Sequence, residues 1–176
     1  MNLSTLRAAW YAWAAANSQG AQVVWADQAA PHPARPFVTL KLNGPFRDMG
    51  ADELRHTATE GAFELCGHRR FVLSVQVLGT DAPSAHALAI ALNSSLGKPS
   101  ALATLRLSGI SVSDEGDIQN LTTFMATQFE GRFAFDATFL ATESLSDTLG
   151  SVRTVQIMGM NDTALIGDPL PPPEGD

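Results

Sequence analysis

The stretch VVWADQAAPHPARPFVTLKL, residues 23–42, sets an acid (Asp27), an imidazole (His32) and a guanidinium (Arg35) between two apolar runs. A carboxylate–imidazole pair can move protons, and an arginine beside it can hold an anionic substrate. Such chemistry also needs an oriented nucleophile or a shaped substrate pocket, and nothing near these residues supplies one. Pro31, Pro33 and Pro36 fix φ at three positions and remove three backbone donors, so the segment reads as a stiff passage between two strands. Asp27, directly after an apolar strand, suits a hydrogen bond to the turn that follows it.

The remaining reactive residues give no stronger pattern. His32, His56, His68 and His86 show no HxxxH or HxH spacing, and Cys66 has no second cysteine to make a CxxC pair. A zinc site needs four such ligands, so no metal site is expected. The sequence lacks GxSxG, GxxxxGK[ST] and GxGxxG, which removes the familiar serine-nucleophile and phosphate-binding loops. In SDEGD, residues 113–117, Asp114, Glu115 and Asp117 surround a glycine. A calcium loop needs further alternating oxygen ligands and a distal glutamate, so this is expected to be a solvated acidic turn. No catalytic residue and no cofactor is assigned.

One basic cluster and one acid–base pair remain. His68-Arg69-Arg70 follows AFELC and precedes FVLSVQVL, so Gly67, His68 and Arg69 are expected to form a three-residue hairpin loop. That register sets Leu65 opposite Phe71 and Phe63 opposite Leu73, with Val75 and Val77 continuing the inward face. Glu130 and Arg132 are two apart, and on one strand they would point the same way.

The totals bound what these residues can do. A chain of 176 residues, 45% hydrophobic and 16% charged, is expected to fold as a single domain over residues 1–165 with a Pro-rich tail at 166–176. Such a chain buries about 70% of its unfolded surface. The 18 acidic and 11 basic residues leave a net charge of −7, which disfavours a nucleic-acid groove or an anionic membrane as the main partner. One cysteine excludes an intrachain disulfide and fits a reducing compartment. The run AAWYAWAAA, residues 8–16, reads as part of an amphipathic helix and not as a signal peptide, because Leu3, Leu6, Trp10 and Trp13 share one face. No apolar run approaches the ~20 residues of a membrane-spanning helix.

The scaffold follows from periodicity. A helix is expected over residues 3–17, stopped by Gly20, and then a short strand AQVVWAD. FVTLKL alternates, with Val38, Leu40 and Leu42 on one face. Residues 43–56 read as an excursion with a helical turn at ADELRH. Asp81 caps a helix whose buried stripe is Ala85, Leu88, Ala89, Leu92 and Leu96, and a shorter helical piece at SALATL follows. GISVSDEGD, RFAFDATFLAT and SVRTVQIM are the late strands, with Phe133, Phe135, Ala137 and Phe139 inward. The class is α+β: a largely antiparallel β-sheet with helices packed on one face.

Three segments together resemble the tailed-bacteriophage neck or tail terminator (tail-completion) proteins: VVWADQAAPHPARPFVTLKL, RRFVLSVQVLGTDAP with its Ala/Leu helix, and QFEGRFAFDATFLAT. The resemblance runs from about residue 20 to 145 and rests on scaffold motifs with no reaction attached. It implies a virion protein at the head–tail junction, assembled in the host bacterial cytoplasm. It also implies a homo-oligomer, typically a hexameric ring, that caps the tail tube and stops its polymerisation. Its partners would be the tail tube protein, the head-completion or connector proteins and, in a contractile tail, the sheath. Genome DNA would pass through the lumen without specific binding.

Under the same resemblance, protein-interface residues are expected at Asp27, His32 and Arg35, at the hairpin tip His68, Arg69 and Arg70, and at Glu130 and Arg132. The arginines would pair with acids of an adjacent subunit. Two alternatives stay open: another tail or baseplate component, and a small ligand-binding domain or enzyme.

Overall fold

A computed structural model describes residues 2–28, 33–59, 61–125 and 128–148. The chain opens with α1, Leu3–Asn17, because the Asn2 side chain accepts hydrogen bonds from the Ser4 and Thr5 amides at its N-terminus. The helix ends where Gln19 and Gly20 both adopt positive φ, 53° and 88°. Leu6, Trp10, Trp13 and Ala14 make its buried stripe. Leu3, expected in that stripe, sits in the first turn and is exposed.

Strands β1 (Gln22–Trp25) and β2 (Phe37–Phe46) run parallel across the Pro-rich passage. Next come β3 (Glu53–His56) and β4 (Ala62–Leu78), then helices α2 (Ala82–Ser95) and α3 (Pro99–Leu107). Strands β5 (Ile110–Asp114) and β6 (Gln119–Asn120), the small hairpin β7 (Thr123–Met125) and β8 (Gln128–Glu130), and the long β9 (Arg132–Thr148) complete the described chain. The main sheet has the order β1-β2-β4-β9-β5, with β3 paired to β4 and β6 to β9. All its pairings except β1–β2 are antiparallel. The α+β class is as expected.

The expected hairpin at residues 67–69 does not form. β4 runs unbroken through Gly67, His68 and Arg69, and its antiparallel partner throughout is β9. Leu65 therefore lies opposite Leu145, Phe71 opposite Phe139 and Leu73 opposite Ala137. Gly67 is a glycine for a different reason than a turn. A Cβ there would lie 1.9 Å from Asp52 Oδ1 and 2.4 Å from the Arg69 guanidinium, so the absent side chain leaves room for that ion pair. ADELRH also differs from expectation, since Glu53–His56 is a strand on the outer edge of β4 and not a helical turn.

The core lies on one face of this sheet. Phe71, Leu73, Val75 and Val77 of β4 alternate inward beside Phe133, Phe135, Ala137 and Phe139 of β9, with Val38 and Leu40 of β2. Trp10 packs its ring 5.4 Å from Phe71 and 5.6 Å from Phe139, seating α1 on the sheet. Trp13 Nε1 donates to Ser95 Oγ at 2.9 Å and so ties α1 to α2 inside the core. The stripe of α2 is the expected one, Ala85, Leu88, Ala89, Leu92 and Leu96, all buried. Its start is fixed reciprocally: Asp81 accepts from the Ser84 amide while Ser84 Oγ accepts from the Asp81 amide.

Beyond Gly67 and Ala141 the buried rows stop, and β3, β4 and β9 continue as a three-stranded extension. The expected strand at 151–158 and the Pro-rich tail at 166–176 lie outside the described residues.

Candidate protein–protein interface

The residues singled out by the sequence fall into three places. Asp27 is exposed in the turn after β1. His32 lies outside the described residues. Arg35, 40% exposed, forms an ion pair with Glu130 at the end of β8. The Pro-rich passage is thereby pinned to the small β7–β8 hairpin, and Arg35 serves to anchor it.

The His68-Arg69-Arg70 cluster sits in the middle of β4, not at a projecting tip. His68 is on the outer face, with Nδ1 3.5 Å from Thr142 Oγ1. Arg69 points to the core side and is 2% exposed. Its guanidinium forks onto Asp52, with Nη1–Oδ1 at 2.6 Å and Nη2–Oδ2 at 2.7 Å, while Nε donates to Glu143 Oε2 at 2.7 Å. Arg47 approaches the same Glu143 oxygen at 3.6 Å. Two donors on one carboxylate and a third on another satisfy the buried charge as a bidentate arginine requires.

The Asp52 bond, then the Glu143 bond, hold the Arg69 proton well above its already high ordinary affinity. In return Arg69 holds the Asp52 carboxyl below its usual range, chiefly through those hydrogen bonds. Arg70 reaches the other way, donating from Nε to Asp48 Oδ2 at 2.9 Å and lying 4.7 Å over the Phe46 ring. That contact lowers the Asp48 carboxyl pKa in the same manner. These pairs clip the 47–52 segment onto β4, so both arginines are engaged within the chain. Arg69 and Arg70, expected to face an adjacent subunit, each have a carboxylate partner within their own chain.

Glu130 and Arg132 do not share a strand face. Gly131 separates β8 from β9, and a Cβ there would stand 2.2 Å from the Asp81 carbonyl oxygen. Glu130 turns to Arg35, whereas Arg132 Nη2 donates to Gln76 Oε1 at 2.5 Å.

Sequence reasoning missed Asp48, Asp52 and Glu143 as the partners of the basic cluster. The available signal was compositional: Asp48 and Asp52 are acids in a segment otherwise short of structure, preceding two adjacent arginines.

Outside these pairs the chemistry is sparse. Cys66 Sγ lies 3.9 Å from Ser144 Oγ, half-buried on the outer face. His86 is exposed and stacks on Phe133 at 4.6 Å. The acidic turn at 115–117 is docked by Asn93 Nδ2, which donates to the Glu115 and Gly116 carbonyls at 2.9 and 3.1 Å. Beside it, a depression of about 400 Å³ lined by Leu96, Leu102, Val112, Ser113, Asp114 and Glu115 offers two carboxylates and one hydroxyl. Among the described residues, no group of three or more His, Cys, Asp and Glu is placed to hold a metal ion. No helix among them is long and apolar enough to cross a membrane.

Residues 4–163 match the family model for the phage neck terminator protein. The chain belongs to that family. The match takes in α1, every strand of the main sheet and residues 149–163 beyond the described end of β9. The neck terminator proteins are structural components of the phage particle, and the ion pairs above are those of a neck terminator scaffold. No curated protein matches the chain. One solved structure superposes with a TM-score of 0.45 and 18% identity, covering 80% of this chain and 96% of the other.

Proposed function

We propose that this neck terminator acts as a closed ring, with six subunits, seated on the head-proximal end of the tail tube. There it stops tube growth and presents a second surface to the head-completion or connector proteins. The family match over residues 4–163 carries this reading. The side-chain geometry supports a role without catalysis, because the arginines that a substrate would use are already paired with Asp48, Asp52, Glu130 and Glu143. Ending a polymer requires binding free energy and shape, with no bond made or broken. The net charge of −7 suits a passage through which DNA slides without adhering.

The test is removal of the chain from the phage that encodes it. Particles made without it are expected to show tails of unregulated length and heads that carry no tail. Tails of normal length joined to full heads would exclude the terminator role.

A further inference from the structure

The three-stranded extension ends in two strand edges that have no pairing partner among the described residues. β3 pairs with β4 along one side only, over Glu53–His56. β9 is flanked on its outer side by β6 at Phe133 and Ala134 and by β5 from Thr138 to Ala141, and among the described residues nothing pairs with its edge at 142–148. Free edges in stable monomers are blunted by lysine, proline, a bulge or charged side chains, inward-pointing ones included. This edge, TESLSDT, has no lysine or proline and pairs with β4 in unbroken register; of its two acids, Glu143 is held by Arg69 of its own copy and Asp147 stands at the edge.

The side chains on these edges match each other. Leu54, Leu65 and Leu145 lie side by side across β3, β4 and β9, on the face that continues into the core. The row begins and ends in solvent, since Leu54 is 54% and Leu145 48% exposed. The neighbouring row is His56, Phe63 and Asp147, an imidazole at one edge and a carboxylate at the other. Each edge therefore lacks what the opposite edge carries.

Resting on the ring reading above, we propose that β3 of one copy adds in parallel to the open edge of β9 in the next copy. Leu54 then packs beside the neighbour's Leu145, and His56 faces the neighbour's Asp147. The direction follows from the topology. β3 is antiparallel to β4 and β4 to β9, so β3 and β9 run the same way. Rotation about an axis along the strands preserves that sense. In this register Glu53 and Arg55 fall beside Ser144 and Ser146, so no like charges meet on the outer face. Asp52 and Glu143, next along the inner face, are each held by Arg69 of their own copy. Two different edges meeting head to tail make a heterologous contact, which closes into a ring when the rotation allows.

The test uses the full-length chain carrying Cys66→Ser with Leu54→Cys and Leu145→Cys. Within one copy these positions are two strands apart, roughly 10 Å, beyond the ~7 Å Cα reach of a disulfide. Any bridge between them must join two copies. Mild oxidation is expected to give a ladder of covalent multimers, and the single-cysteine variants are expected to give none.

A second pair of variants guards against misfolding, with thermal melts as the control. Leu54→Arg and Leu145→Arg should each be folded and monomeric, and mixing them should yield one-to-one dimers because each retains the edge that the other lacks. A wild-type multimer with no ladder, and undiminished in both arginine variants, would overturn this contact while leaving the ring intact. A wild-type chain that stays monomeric at every concentration would overturn both. Slow hydrogen exchange at residues 142–148 in an isolated monomer would show that the chain's own residues 151–158 fill the edge, and would also overturn it.

Discussion

Arg69 decides how the basic cluster is understood. A guanidinium buried on the core side of a sheet is tolerated because Asp52 and Glu143 accept from all three of its nitrogens. Asp52 titrates lower in the folded chain than its ordinary value near 3.8, and Asp48 does the same beside Arg70. A depressed folded pKa gives stability that is complete above the unfolded value and is lost as the pH falls through the folded one. Thermal melts of the wild type are therefore expected to hold steady above about pH 4 and to drop below it. Arg69→Met should melt lower at neutral pH and lose part of that acid dependence. An unchanged acid limb in Arg69→Met would refute the clip. Gly67→Ala tests the same cluster sterically. The added methyl meets Asp52 Oδ1 and the Arg69 guanidinium, so it should cost about 1–3 kcal/mol, as overpacking does, read from denaturant unfolding. A neutral result would mean that Asp52 moves aside freely.

At the scale of elements, the periodic pieces were readable and the long-range pairings were not. The α2 stripe and its Asp81 cap, and the inward alternation of Phe133, Phe135, Ala137 and Phe139, stand in the structure as the spacing implies. Each of these signals is local, a matter of 3.6 or 2 residues per repeat. The false hairpin at Gly67 was local as well. A glycine and two polar residues between apolar runs is a turn signal when only near neighbours are considered. The structure overrides it because β9 offers a partner for all 17 residues of β4, from Ala62 opposite Thr148 to Leu78 opposite Arg132. The same distance hid the arginine partners, since Glu143 lies 74 residues from Arg69. One consequence is measurable in the β4–β9 pair. Phe135 is buried opposite Val75 at its centre, so Phe135→Ala should cost about 3–5 kcal/mol. A loss under 1 kcal/mol in chemical denaturation would show that the core is not built around this strand pair.

The whole molecule is a helix-covered sheet whose β3–β4–β9 corner runs past its core, with arginines spent on holding loops in place. Among its described residues, the outer edges of β3 and of β9 at 142–148 carry no strand partner. Under the proposed ring, each subunit works as one of several copies around an axis. The mass of the purified full-length chain, taken by sedimentation and by imaging across a range of concentration, tests that most directly. The account predicts closed rings with a mass near six times the 18.7 kDa of one chain. A species that remains a folded monomer at the highest concentration, and on exposure to tail tubes of its own phage, would contradict it.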